Sequence, residues 1–280
     1  MRPQSLDELH QRAQAAVASV IGARSFAAAR VLVADLPARR NGHDVTGQFQ
    51  PFSPGLGGVL AQARGFRRAL IWFWIAIGRR FRSGQITLLS SYEDALSPLW
   101  RAEHRLAVNR RLMNALATLI HEEFHAINQD WSWLVADRIW VNPAVARFGE
   151  GIVELGVEEF LPAIFDEMRL GGLRTALILL QSRRAYVAEK EAARALVTAT
   201  ADLLGTSRRD LLKQILANGG QLIALRTLAH EVVAHTGRKD RLSEPHWYVA
   251  RFQRTLPACA EASLVDELLR PFVDLDRRAA

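Results

Sequence analysis

The sequence predicts a mainly α fold with a small β-sheet upstream of its main helical body. Three observations carry that expectation. Helix-favouring stretches with cap signals run through most of the chain after residue 97. One short segment, Gln85-Ile86-Thr87-Leu88-Leu89, opened by Gly84, reads clearly as a strand. Gly and Pro punctuation is concentrated in residues 37–58.

Taken in order, residues 5 to about 34 favour helix, with Ser5 as N-cap and Glu8 three residues on. Residues 37–58 read as a connector, through Pro37, Asn41-Gly42, Gly47, Pro51, Pro54 and Gly55. Residues 1–58 are therefore expected to form a helical arm and connector, and 59–280 an α-rich body. A helix or buried strand is expected around 59–82, then the Gln85–Leu89 strand. Ser97-Pro98 is expected to start a long helical stretch reaching Asn128. Asn142-Pro143 is a cap and first-turn pair for a helix ending near Pro162. Further helices fit 172–204, 207–217, 221–235 and 260–272.

Composition narrows the function. The chain has 280 residues, of which 49% are apolar and 23% charged, so a folded core is expected. A single cysteine, Cys259, excludes an internal disulfide framework and any Cys-built zinc cluster. Net charge is +7, with 33 Arg against 3 Lys. Residues 1–120 hold 16 Arg and 7 acidic residues, while 121–280 are net −2. The basic first part reads as a solvated Arg-rich face, or as a surface for an acidic partner, a lipid headgroup or nucleic acid. Nucleic acid is the weaker option, because no RNA-binding aromatic pattern, zinc finger or basic zipper is present. The start, Met1 to Glu8, turns polar where a signal peptide turns apolar, so a cytoplasmic location is expected, with non-classical export left open. The most apolar run is Ala69–Ile77. It is far shorter than the about 20 residues a spanning helix needs, so no transmembrane segment is expected. It reads as buried core, or as an interfacial anchor between basic flanks.

The informative segment is His121-Glu122-Glu123-Phe124-His125, an H-E-x-x-H. On a helix, positions i and i+4 are about 40° apart, so both imidazoles can reach one ion. Glu122 is rotated about 100° from His121, where a carboxylate can take a proton without ligating the metal. Asn114, Ala117, Thr118, His125 and Asn128 share the His121 face, which is polar or small. Leu112, Leu116, Leu119, Ile120 and Ile127 fall on the other side, as a core stripe. Glu123 lies near that stripe and is expected at an edge reaching solvent.

A tight zinc site needs a third protein ligand. No histidine lies between His125 and His230, but Gly149-Glu150-Gly151 and Glu154 follow on the helix begun at Pro143. Glu150 and Glu154 are i and i+4 and share a face, with Ile152, Val153, Gly156 and Phe160 opposite. The flanking Gly149 and Gly151 allow close approach of another helix. A solvated acidic face of Glu150, Glu154 and Glu158 is the competing reading. A di-iron bundle is disfavoured, because no second E-x-x-H exists in the chain.

His121-Glu122-x-x-His125 followed by Glu150-x-x-x-Glu154 resembles the gluzincin branch of the zincin metallopeptidases, over about residues 114–160. The resemblance implies a zincin-like fold in which the H-E-x-x-H helix packs against a glutamate helix. It implies Zn²⁺ as cofactor, Glu150 as third ligand beside His121 and His125, and Glu154 as the acid that orients a ligating histidine. Two departures stand out. The 24 residues between His125 and Glu150 exceed the commonest family gap, which implies an inserted loop around Trp131, Trp133 and Trp140. The second acid is Glu where Asp is frequent.

The implied activity is peptide-bond hydrolysis by a metal-activated water, with Glu122 as general base and a peptide or protein as substrate. The substrate of such enzymes lies along an edge strand, a role open to Gln85–Leu89. An oxyanion donor is also wanted, and His246 and Tyr248 are the favoured pool, with His230 behind them. His230 and His235 are five apart, about 140° on a helix, so they cannot share an ion. His104 reads as a surface residue. Two alternatives are a non-catalytic zincin-like domain and a basic nucleic-acid- or membrane-associated binding protein. Retention of Glu122 argues against the first.

Overall fold

The computed structural model describes residues 3–23, 30–35, 39–40, 43–44, 47–50, 85–101, 108–127, 143–180 and 186–217. It is mainly helical with small sheets, as expected. The expectations at 59–82, 221–235 and 260–272 lie outside the described residues. The chain divides into two compact units, one of residues 1–20, 24–129 and 160–183, the other of 21–23, 130–159 and 184–280.

In the first unit, helix α1 spans Leu6–Ile21. Ser5 caps it as expected: its hydroxyl accepts the Glu8 N–H at 3.2 Å. The helix ends at Gly22, whose φ of 72° is a left-handed stop. Strand β1, Arg30–Ala34, follows where the sequence suggested continued helix. The connector likewise contains strands: β2 (Arg39–Arg40), β3 (His43–Asp44) and β4 (Gly47–Gln50). Strand β5 is Gln85–Leu89.

The larger sheet runs β1-β5-β4. β1 pairs parallel to β5 with Leu32 opposite Thr87, and β4 pairs antiparallel with Gly47 opposite Leu88. Gln85–Leu89 is therefore the central strand and not an edge. Both its ladders are taken, which corrects the expectation that it receives an extended substrate. Ile86, Thr87 and Leu88 are all buried, as a strand covered on both faces requires. The sheet also pairs strands from both sides of the boundary expected at residue 58.

Helix α2 (Ser91–Leu96) leads into a 3₁₀ turn at Ser97–Leu99. Pro98 thus begins only a short turn. The long helix, α3, is Arg110–Ile127, and its cap is Asn109, whose Oδ1 accepts the Leu112 N–H at 2.9 Å. α3 packs on α2, β4, β5 and the 3₁₀ segment Gly171–Leu180. Its expected core stripe is buried throughout, with Leu112, Leu116, Leu119, Ile120 and Ile127 at most 2% exposed. The other faces are buried too: Ala117, Thr118 and Glu123 are enclosed. Glu123 is 0% exposed and pairs with His10 of α1, so the expectation that it reaches solvent is overturned. The cause is a partner 113 residues away in sequence.

Helix α4 runs Pro143–Glu167 and passes through Pro162 instead of stopping near it. Phe160, Leu161, Ile164 and Phe165 around that proline are all buried, and their packing outweighs the lost backbone bond. Among the described residues, no helix is long and apolar enough to cross a membrane.

In the second unit, α5 (Val187–Leu204) forms only the later part of the helix expected over 172–204, and α6 (Arg208–Ala217) lies where the helix over 207–217 was expected. Gly205, at φ 64°, closes α5, and the Ser207 hydroxyl caps α6 by accepting the Asp210 N–H at 3.0 Å. Gly151 of α4 lies against the backbone of α5: a β carbon there would sit 2.5 Å from the Glu189 carbonyl carbon and 3.2 Å from its Cβ. This is the close approach expected of that glycine. A backbone group cannot swing aside as a side-chain tip can. Gly151→Ala is therefore expected to destabilise the protein by about 1–3 kcal/mol. Thermal denaturation checks it, and an unchanged melting temperature would mean that the two helices part without cost.

Candidate metal centre

Helix α3 delivers both histidines from one face. The Nε2 atoms of His121 and His125 lie 3.2 Å apart, with the rings edge to face at 70° and centroids 4.9 Å apart. Two imidazole nitrogens bound tetrahedrally to zinc, each at about 2.0–2.1 Å, would be about 3.3 Å apart, so this pair is already spaced as a chelate. His121 is buried and His125 partly exposed. A buried histidine beside a more open one suits a site that excludes bulk water yet admits a ligand.

Glu150 completes the set. The ligand atoms of His121, His125 and Glu150 all lie within 4.8 Å of one another. Two imidazoles and one carboxylate are a donor set that zinc accepts in open, three-ligand sites. The residues present therefore fit a zinc ion. Among the described residues these three are the group of His, Cys, Asp or Glu side chains with that convergence.

Along α4 the acidic face is not uniformly solvated. Glu154 is 5% exposed, one turn from the half-buried Glu150. Glu158, one turn further, is exposed and forms ion pairs with Lys190 at 2.7 Å and Arg194 at 2.8 Å. Partial burial pushes the Glu158 carboxyl up, but the two cations outweigh it and hold the group below its ordinary value. The solvated-face reading thus holds for Glu158 and not for Glu150 and Glu154.

Glu122 is 5% exposed and lies on the side of α3 covered by β4. Its neighbour Glu123 faces α1. Burial pushes the Glu123 carboxyl up, His10 opposes that shift, and the Glu122 charge adds to it. Two adjacent carboxylates therefore point to different environments, one under β4 and one toward α1.

The sequence missed two residues at this site. Gly47, read as connector punctuation, comes against Thr118 and Glu122. His10, read only as part of a helix, is the buried partner of Glu123. Neither carries a local signal, since each meets α3 from a segment distant in sequence. His246, Tyr248, His230, His235, His104, Cys259 and the Trp131–Trp140 segment lie outside the described residues. No protein-family model, curated protein or solved structure matches this chain.

Proposed function

We propose that this chain is a zinc-dependent metallopeptidase of gluzincin type, with His121, His125 and Glu150 holding the metal and Glu122 as general base. The observation that carries the reading is the convergence of those three ligand atoms within 4.8 Å, with a buried carboxylate next in sequence to the first histidine. A zinc ion bound there supplies a Lewis acid for the substrate carbonyl and a lowered pKa for water.

The residues divide the remaining work. Glu122 takes a proton as water oxygen bonds to the carbonyl carbon, then gives it to the amine nitrogen as the C–N bond breaks. Buried Glu154 is assigned to orienting a ligating imidazole. His246 and Tyr248 stay assigned as donors to the developing oxyanion. The substrate is a peptide or protein, and the basic excess in residues 1–120 suits an acidic one.

The test is metal stoichiometry. Wild-type protein purified without chelators should hold about one zinc ion per chain by elemental analysis, and His121→Ala should hold almost none. A wild type that contains no metal and takes up no zinc from solution ends the proposal. Stoichiometric zinc without cleavage of any peptide in a diverse pool would point instead to a structural metal.

A further inference from the structure

Thr118 and Glu122 are i and i+4 on α3, and the residue packed over both is Gly47, the first of β4. A β carbon at position 47 would lie 2.7 Å from Thr118 Cγ2, 2.8 Å from Glu122 Oε1 and 3.0 Å from Glu122 Cγ. The first two are closer than a carbon atom tolerates and the third is tight, so a side chain of any size displaces something. Thr118 and Glu122 are 4% and 5% exposed, which leaves little empty space to move into.

What gives way is decided by stiffness. Strand β4 is held in register by β5, with Gly47 opposite Leu88 and Gln50 opposite Gln85. Retreat of the strand would break that ladder. The α3 backbone is anchored by its buried stripe. The Thr118 methyl is fixed by a β-branched side chain with few rotamers. The carboxylate of Glu122 ends a three-torsion chain and is the softest member.

We infer that Gly47 is a positioning residue for Glu122: the missing side chain creates the slot in which the carboxylate sits. The inference rests on the reading of Glu122 as general base for its consequence in turnover, but not for its geometry. A β carbon at 47 pushes the carboxylate off its place while His121 and His125, on another face of α3, keep the spacing that the helix backbone sets.

The experiment uses full-length Gly47→Ala and Gly47→Ala/Thr118→Ser. Thr118→Ser removes the methyl that conflicts at 2.7 Å, so the double variant keeps only the conflict with Glu122. It also keeps the inference falsifiable should the single variant fold poorly. Crystal structures of both, with zinc content and kinetics, are the readouts. A shifted Glu122 carboxylate is expected, with β4 still paired to β5 and zinc content as in wild type. A displacement of about 1 Å should lower kcat roughly 10- to 100-fold with KM nearly unchanged. The double variant should recover part of that loss, because the new β carbon can lean into the space vacated by the Thr118 methyl. An unmoved Glu122 carboxylate, or a displaced β4 in its stead, overturns the inference whatever the turnover. A zinc-loaded wild type without peptidase activity would defeat the functional reading alone, and the two crystal structures would still decide the role of Gly47.

Discussion

Glu122→Gln is expected to keep zinc at wild-type stoichiometry and to lose turnover by about 10²- to 10⁴-fold, the usual range for removing a general base. That corresponds to about 3–5 kcal/mol of transition-state stabilisation. The amide has nearly the volume of the carboxylate, so the slot under Gly47 stays filled and the α3 backbone need not move. Stability should hold or rise slightly, since the charge removed is one that pushes the buried Glu123 carboxyl up. The loss should fall on kcat, because the proton transfer contributes only in the transition state. Three readouts together decide the point: zinc by elemental analysis, melting temperature, and kcat with KM on a cleaved peptide. A variant retaining turnover within about threefold of wild type would remove Glu122 from the chemistry. Loss of metal together with turnover would mean that the carboxylate helps hold the ion.

What was legible in the sequence follows the range of the interactions involved. The H-E-x-x-H pair is local: helical spacing alone places the two imidazoles together, and their nitrogens lie 3.2 Å apart. The apolar stripe of α3 and the Ser5 cap of α1 are equally local. Glu150 required a second helix and a chemical argument about ligand number, and its carboxylate does converge with the histidines. Failures begin where tertiary partners decide. β4 is four residues that include a glycine and two glutamines, with weak strand propensity, and its pairing comes from β5. α4 continues through Pro162 because buried residues on either side hold it. α3 begins at the Asn109 cap and not at Ser97-Pro98, because the chain after Pro98 makes only a short 3₁₀ turn. Glu123 was misplaced because its partner is distant in sequence. An acidic residue beside an apolar stripe is expected at the surface unless a polar group distant in sequence meets it.

That distant partner has a large measurable consequence. His10 is 3% exposed, Glu123 is 0% exposed, and the His10 imidazole is hydrogen-bonded to the Glu123 carboxyl between α1 and α3. Among the described residues, the second Glu123 oxygen is buried without a hydrogen-bond partner. The carboxyl is thus held by one side of the pair, and its ordinary value is already pushed up by burial. His10→Ala removes that partner and leaves a buried acid. The expected cost is about 3–5 kcal/mol, typical for breaking one side of a buried pair. At about 2–4 °C per kcal/mol for a chain of this order of size, the melting temperature should fall by roughly 6–20 °C. Both proteins are measured with chelator present, because bound zinc would add its own stabilisation by mass action. The double replacement His10→Leu/Glu123→Leu removes the charge and the unsatisfied oxygen while keeping similar volume. It is expected to recover most of the loss, since apolar replacement of a buried pair is often neutral or favourable. His10→Leu alone separates an unpaired buried acid from a simple cavity: it keeps most of the volume but not the partner, so it would repair a cavity and leave an unpaired acid as costly as before. A His10→Ala cost below about 1 kcal/mol would mean that other groups satisfy Glu123, and that α1 is held to α3 by apolar packing.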